Sequence, residues 1–214
     1  MALTLYDYHR SSASYRVRIA LNLKGAAYER VPVSLLDGEQ RSDAYRARNP
    51  QGFVPVLEAD GQRITQSLAI IDFLDATFPE PKLVPADAAD RAHVLALALT
   101  IAADIHPLNN LRVLKELTRL GLDQATRDDW YRHWVAEGFA ALEALAAPRA
   151  GRFLFGDSVT LADVCLVPQM FNARRLETPL DAYPALVRAD AQACALPAFA
   201  AAHPDRVAPA PASR

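Results

Sequence analysis

Residues 3–33 read LTLYDYHRSSASYRVRIALNLKGAAYERVPV. Leu3, Leu5 and the tyrosines at 6 and 8 give residues 3–8 the alternation and β-type composition of a short strand, after which the chain turns at His9-Arg10-Ser11-Ser12. A helix follows. Ala13, Val17, Ala20 and Leu21 fall at i, i+4, i+7 and i+8, serines at 11, 12 and 14 offer caps at its start, and Gly25 is placed to end it. YERVPV at 28–33 reads as a second strand. The opening is therefore a βαβ unit, which implies a parallel pair with a right-handed crossover.

Further along, residues 41–48 predict a weak, Arg-rich helix that Asn49-Pro50 ends, since a residue before proline is pushed out of the α region. FVPVLEADGQRIT, residues 53–65, predicts a hairpin with Asp60-Gly61 as its type I′ turn signal. From Ser67 a helix begins with Ile70, Phe73, Leu74 and Phe78 on one face, and it stops before Pro79. The order is β-α-β-α-β-β-α. Three prolines between Phe78 and Pro85 suit a short stiff linker, and beyond it no run reads as a strand. Residues 88–147 are rich in Ala and Leu at helical spacing, with Pro107 expected to kink or interrupt them. Thr160-Leu-Ala-Asp163 before VCLVPQM is a capping-box start for a buried helix, and the tail from Pro204 has the makings of a frayed terminus. The class is α+β, with a mixed domain over 1–84 and an all-helical domain over 88–214.

Composition narrows the function classes. Of 214 residues, 51% are hydrophobic and 22% charged, and 23 Lys plus Arg against 25 Asp plus Glu leave a net charge of −2. No global basic field exists to hold a phosphate backbone, so nucleic acid is not the expected partner. The opening MALTLYDYHRSS lacks a basic region followed by a long apolar stretch, and no window approaches ~18 uninterrupted apolar residues, so a soluble cytoplasmic protein without a membrane partner is expected. Cys165 and Cys194 sit among apolar residues and read as structural thiols. Histidines at 9, 93, 106, 133 and 203 are scattered without ligand spacing, so no metal is expected. Dinucleotide, P-loop, nucleophile-elbow and zincin motifs are all missing from a chain with only 8 glycines.

Chemistry concentrates at helix starts. The turn and helix from Arg10 to Arg18 set hydroxyls and backbone N–H groups at an N-terminus, where the macrodipole favours an anion or thiolate. Ordinary capping also explains Ser11, Ser12 and Ser14, although three serines exceed what one cap needs. Gln66-Ser67 opens a second helix whose free N–H groups and hydroxyl suit a carboxylate, or simply cap it. Between them lies Val54-Pro55, either a plain edge-strand proline or a cis turn. A cis turn would offer the Val54 N–H and C=O to a peptide-like ligand in β fashion.

SSASYRVRIALNLKG, NPQGFVPVLEADGQRITQSLAIIDFL, DIHPLNNLRVL and GDSVTLADVCLVPQMFNARR together resemble the zeta class of glutathione transferases, the family of maleylacetoacetate and maleylpyruvate isomerases, over nearly the whole chain. The resemblance implies a two-domain glutathione transferase fold: a thioredoxin-like N-terminal domain that binds glutathione and an all-α C-terminal domain, assembled as a homodimer. Ser11 matches the serine that hydrogen-bonds the glutathione sulfur, with Ser12 beside it. Gln66 and Ser67 match the positions that hold the γ-glutamyl end, Val54 the backbone clamp on the cysteinyl part, and His106 and Asn110 further glutathione contacts. Arg175 matches an arginine that orients substrate, and the resemblance places Arg10 and Arg112 with it around one cleft. The class pattern Ser-Ser-Cys-x-Trp-Arg-Val-Arg departs here to Ser-Ser-Ala-Ser-Tyr-Arg-Val-Arg, so Ala13 replaces a cysteine and Tyr15 a tryptophan. Arg16 and Arg18 read as structural or interfacial, Asp163 as a folding cap, and Tyr6 and Tyr8 as strand residues.

Loss of the cysteine at 13 removes schemes that use a protein thiol, not one in which the nucleophile is the bound glutathione thiolate. A free thiol near pKa 8.5 is only a few per cent ionised at neutral pH, so about 1–3 kcal/mol of stabilisation ionises most of it. The activity implied is cis–trans isomerisation of maleylacetoacetate, with a small dicarboxylate substrate whose carboxylates suit arginine clamps. Maleylpyruvate isomerisation, general transferase or haloacid dehalogenase activity, and a non-catalytic glutathione-binding module are the alternatives.

Overall fold

A computed structural model describes residues 1–209, and the chain divides into two units: Met1–Lys82 together with the segment from Leu196, and Leu83–Ala195. The first unit holds a four-stranded sheet whose strands lie side by side in the order Glu29–Pro32, Leu3–Asp7, Val56–Ala59 and Gln62–Thr65. β1 (Leu3–Asp7) leads into α1 (Ser12–Leu23), which returns the chain to β2 (Glu29–Pro32), parallel to β1 as the βαβ pattern predicts. A 3₁₀ turn and the single helical turn α2 (Asp43–Arg46) stand where a weak helix is predicted. β3 (Val56–Ala59) and β4 (Gln62–Thr65) form the hairpin, and Asp60 and Gly61 both carry positive φ, 46° and 84°, as a type I′ turn requires. α3 (Ser67–Thr77) stops ahead of Pro79 and packs against α1, with Ile70, Ile71 and Leu74 fully buried.

Register places the functional ends together. Asp7 pairs with Pro32, Tyr6 with Val56, and Val56 with Thr65. The ends of β1 and β4 and the beginning of β3 therefore lie at one edge of the sheet, where α1 and α3 start.

In the second unit α4 (Ala88–Leu99) runs on through a π-helical segment, Thr100–Ile105, into α5 (His106–Leu108). Pro107 is the physical cause. It lacks an N–H and its ring crowds the carbonyl four residues back, so the turn before it widens and the helix breaks at Asn109-Asn110. α6 (Leu111–Arg119), α7 (Gln124–Ala146), α8 (Leu161–Arg175) and α9 (Pro184–Cys194) complete the unit. The helical run Ala88–Arg119 is long and apolar enough, at a mean hydropathy of 1.3, to cross a membrane by composition. Its apolar stripe, including Val94, Leu97 and Ile101, is instead buried in the unit, where the run packs on α7 and α8. Cys165 is buried inside α8.

α10 (Pro197–Ala202) and α11 (Pro204–Val207) correct the predicted boundaries. The sequence assigns everything from 88 to 214 to the helical domain, but the segment from Leu196 groups with the first unit, where α10 packs on α1. Residues 204–207 form a helical turn rather than a frayed end, and the last five residues of the predicted tail, 210–214, lie outside the described residues.

Asp163 caps α8 as predicted. Its carboxylate accepts the Leu154 N–H at 2.9 Å, the Thr160 N–H at 2.9 Å and the Thr160 hydroxyl at 3.2 Å. Burial still pushes the carboxyl up from 3.8 to about 6, outweighing these bonds. A folded-state pKa above the unfolded one means that the contribution is full below the unfolded pKa and lost as pH rises through the folded pKa. Relative to Asp163→Asn, which cannot titrate, the wild-type unfolding free energy should therefore gain about 1 kcal/mol between about pH 7.5 and about pH 5. Paired urea melts at the two pH values measure this, and parallel pH profiles would contradict it.

Candidate active site

Ser11 precedes α1 with extended backbone, φ −73° and ψ 121°, and its Oγ accepts the Ser14 N–H at 3.2 Å. A hydroxyl has two acceptor lone pairs and one proton. Capping uses a lone pair and leaves the proton to donate, so cap and sulfur ligand are compatible roles for the same oxygen. Ser12 and Ser14 are buried in the first turn. Burial first, and the exposed Arg10 guanidinium next, lower the pKa of His9 in this turn.

At the same sheet edge, Val54 precedes a cis Val54–Pro55 bond. Its side chain packs with Val33, Tyr45 and Val56, while the β1–β3 ladder begins only at Val56 and leaves the Val54 backbone outside it. Gln66 stands at φ 68° and ψ 119°, a region that disfavours any residue with a Cβ, and it opens α3 without a side-chain cap. Such a conformation costs about 1–3 kcal/mol and is typical of ligand clamps. Gln66 Nε2 donates to Gln51 Oε1 at 2.8 Å, and the buried Ser67 hydroxyl accepts from Arg16 Nη1 at 3.4 Å, which ties the start of α3 to α1. Ser11, Ser12, Val54, Gln66 and Ser67 thus gather at one edge. A hydroxyl donor on a helix end, an unladdered backbone and a second helix start therefore stand at the same edge.

In the helical unit, His106 is half-buried in α5, and Asn110 caps α6 by accepting the Arg112 N–H at 3.0 Å. Trp130 Nε1 donates to Leu108 O at 2.9 Å and anchors this stretch to α7. Exposed Arg112 lies on α6, and Arg175 ends α8. Arg175 borders a cavity of about 260 Å³ together with Leu111, Lys115, Arg127 and Tyr131. Three cations line it against one carboxylate, Asp128, a balance that suits an anionic ligand. Burial pushes the Tyr131 phenol up to about 12 although the adjacent Arg175 guanidinium pulls it down. Neither Tyr131 nor the Lys115 side of this cavity is singled out by the sequence, since both sit in ordinary helical periodicity. Partial burial, then Asp190, raise the Cys194 thiol to about 12.

Residues 5–82 match the glutathione S-transferase N-terminal domain, and residues 128–189 match the glutathione S-transferase C-terminal domain. A solved maleylpyruvate isomerase, described as a bacterial glutathione S-transferase of the zeta class, superposes with a TM-score of 0.93 at 46% identity, covering 95% of this chain and 97% of its own. The chain belongs to the zeta class of the glutathione S-transferases. The maleylacetoacetate isomerase of Rhizobium meliloti (strain 1021) is 51% identical to this zeta-class transferase over 207 residues, 96% of this chain and 97% of its own length. That of Anaeromyxobacter dehalogenans 2CP-1, 46% identical with 98% of each chain covered and a TM-score of 0.89, was solved with glutathione in its active site. The same relative, at a TM-score of 0.88, was also solved with dicarboxyethyl glutathione and citrate there.

Proposed function

We propose that this zeta-class transferase is a glutathione-dependent cis–trans isomerase that converts maleylacetoacetate to fumarylacetoacetate. The observation that carries the proposal is the sheet edge where a serine hydroxyl on a helix N-terminus, the Val54 backbone outside the ladder and the strained Gln66 come together. Glutathione supplies the sulfur nucleophile that adds to the conjugated alkene and leaves again after rotation about the single bond formed.

The chain supplies everything else. Ser11 donates its hydroxyl proton to the sulfur and, with the first-turn N–H groups of α1, favours the ionised thiol. Val54 grips the cysteinyl backbone, Gln66 and Ser67 hold the γ-glutamyl end, and His106 and Asn110 add contacts from the helical unit. Arg175 orients a substrate carboxylate, with Arg10 and Arg112 as further cations. Fork-shaped guanidinium groups suit a planar dicarboxylate better than ammonium groups do. Membership of the class supports a homodimer.

A second reading, maleylpyruvate isomerisation, is favoured by the relative of that name at 46% identity against 51% for the maleylacetoacetate isomerase. Measuring kcat/KM for both substrates in parallel separates the two. Maleylacetoacetate should be preferred by at least about tenfold, an advantage of about 1.4 kcal/mol in transition-state binding; the reverse preference would install the second reading.

A further inference from the structure

Asp7 closes β1 on the same buried face as Leu3 and Leu5, and its side chain is fully removed from water. Arg18 Nη1 lies 2.7 Å from Asp7 Oδ1 with both side chains 0% exposed, and Arg30 Nε reaches Oδ2 at 2.9 Å. The other donors of Arg18 go to backbone carbonyls. Nη2 donates to His9 O at 3.0 Å, and Nε donates to Ala202 O at 3.0 Å. Arg30 and Asn22 make two more such bonds to the C-terminal segment, at Val207 O and Ala198 O.

Stability alone does not account for this arrangement. Desolvation cancels most of the attraction in a buried ion pair, and apolar side chains of similar volume often stabilise a fold as well or better. Apolar side chains cannot hold a carbonyl. His9 O belongs to the turn that the Ser11 N–H closes onto Tyr8 O at 2.9 Å, two residues before the proposed sulfur ligand. Arg18 itself sits on the helix that Ser11 caps, so its bond to His9 O locks the turn and the helix together on either side of Ser11.

We infer that Asp7 and Arg18 are positioning residues for Ser11: the carboxylate orients the guanidinium, the guanidinium holds His9 O, and Ala202 O in the C-terminal segment completes the lock. The inference rests on Ser11 as the sulfur ligand. It extends the functional machinery to a buried pair that touches neither glutathione nor substrate, and to a segment nearly 200 residues away in sequence.

Two variants test it. Asp7→Leu/Arg18→Met removes one charge of each sign, so the net charge near the sulfur is unchanged and the buried space is refilled with apolar groups. Arg18→Lys keeps the cation opposite Asp7 but loses the planar fork that spans both carbonyls. The readouts are the thiolate absorbance of bound glutathione titrated against pH, the glutathione Kd by calorimetry, and the urea midpoint without ligand. The double variant should fold, with a urea midpoint lowered by the two carbonyls left without a donor, and bind glutathione within about threefold, while the bound thiol titrates about one unit higher, a tenfold shift. Arg18→Lys should shift the thiol in the same direction. Wild-type thiol titration in a folded double variant, or in Arg18→Lys when the double variant unfolds, would make the network purely structural and overturn the inference. A wild-type protein that binds glutathione with an unshifted thiol would instead remove the Ser11 reading, and this one with it.

Discussion

Ser11→Ala should lower kcat about 100-fold while raising the glutathione Kd less than about threefold, the pattern expected when a donor to a charged atom is lost. In the proposed site the hydroxyl makes a single contact to the sulfur, whereas most of the tripeptide is gripped elsewhere, at Val54 and at the start of α3. Affinity therefore survives a change that deprotonation of the thiol does not. The same oxygen caps α1 through the Ser14 N–H, so the variant also loses about 1 kcal/mol of stability. A cap-only role predicts that stability loss with kcat intact. Equal losses in kcat and affinity would mean that Ser11 grips glutathione without tuning it. Steady-state kinetics, calorimetry and a urea melt on one preparation separate the three.

Arg175→Ala has the second large effect. A bidentate guanidinium–carboxylate contact is among the strong charge-assisted hydrogen bonds, so its loss should raise KM for the dicarboxylate about 30-fold or more. Conjugation of glutathione to a neutral electrophile such as a chlorinated nitrobenzene should change less than about twofold. Arg175→Lys should recover only part of the loss, because an ammonium cannot reproduce the fork. The alternative is that Arg175 serves mainly to support Tyr131 beside the cavity. In that case both substrates would suffer alike, and the thermal midpoint would fall with them.

The parts of this fold that were legible in the sequence are those specified by neighbours in the chain. Asp60-Gly61 turns a hairpin because both residues accept positive φ, Pro79 ends α3, and Thr160 with Asp163 begins α8, each within four residues of its signal. The serine turn before α1 is legible in the same way. What was not legible depends on contacts distant in sequence. Nothing in residues 196–207 announces a return to α1, because the bonds that fix it run from Arg18, Asn22 and Arg30 to backbone carbonyls, and a carbonyl carries no sequence signature. Asp7 is the instructive case. Leu3, Leu5 and Asp7 share one face by period two, so the pattern places a carboxylate in the core, but its partner is visible only once the strand and α1 are in place. Similarly, Pro107 signals an interruption and widens the turn before it, while the burial of Ile101 and Ile105 in that segment becomes visible only once α7 and α8 pack against it.

Ala13 in place of the class cysteine makes the source of the nucleophile the central question, since no protein thiol stands in the serine turn. The most direct measurement is a count of glutathione against product: maleylacetoacetate in large excess, glutathione limiting, with fumarylacetoacetate and free glutathione both quantified at the end. Many molecules of product per glutathione, all glutathione recovered with a free thiol, and no turnover without it is the predicted result. Glutathione consumed one for one into a stable thioether would identify a transferase, and binding without any product would leave a glutathione-binding module; either would contradict the isomerase.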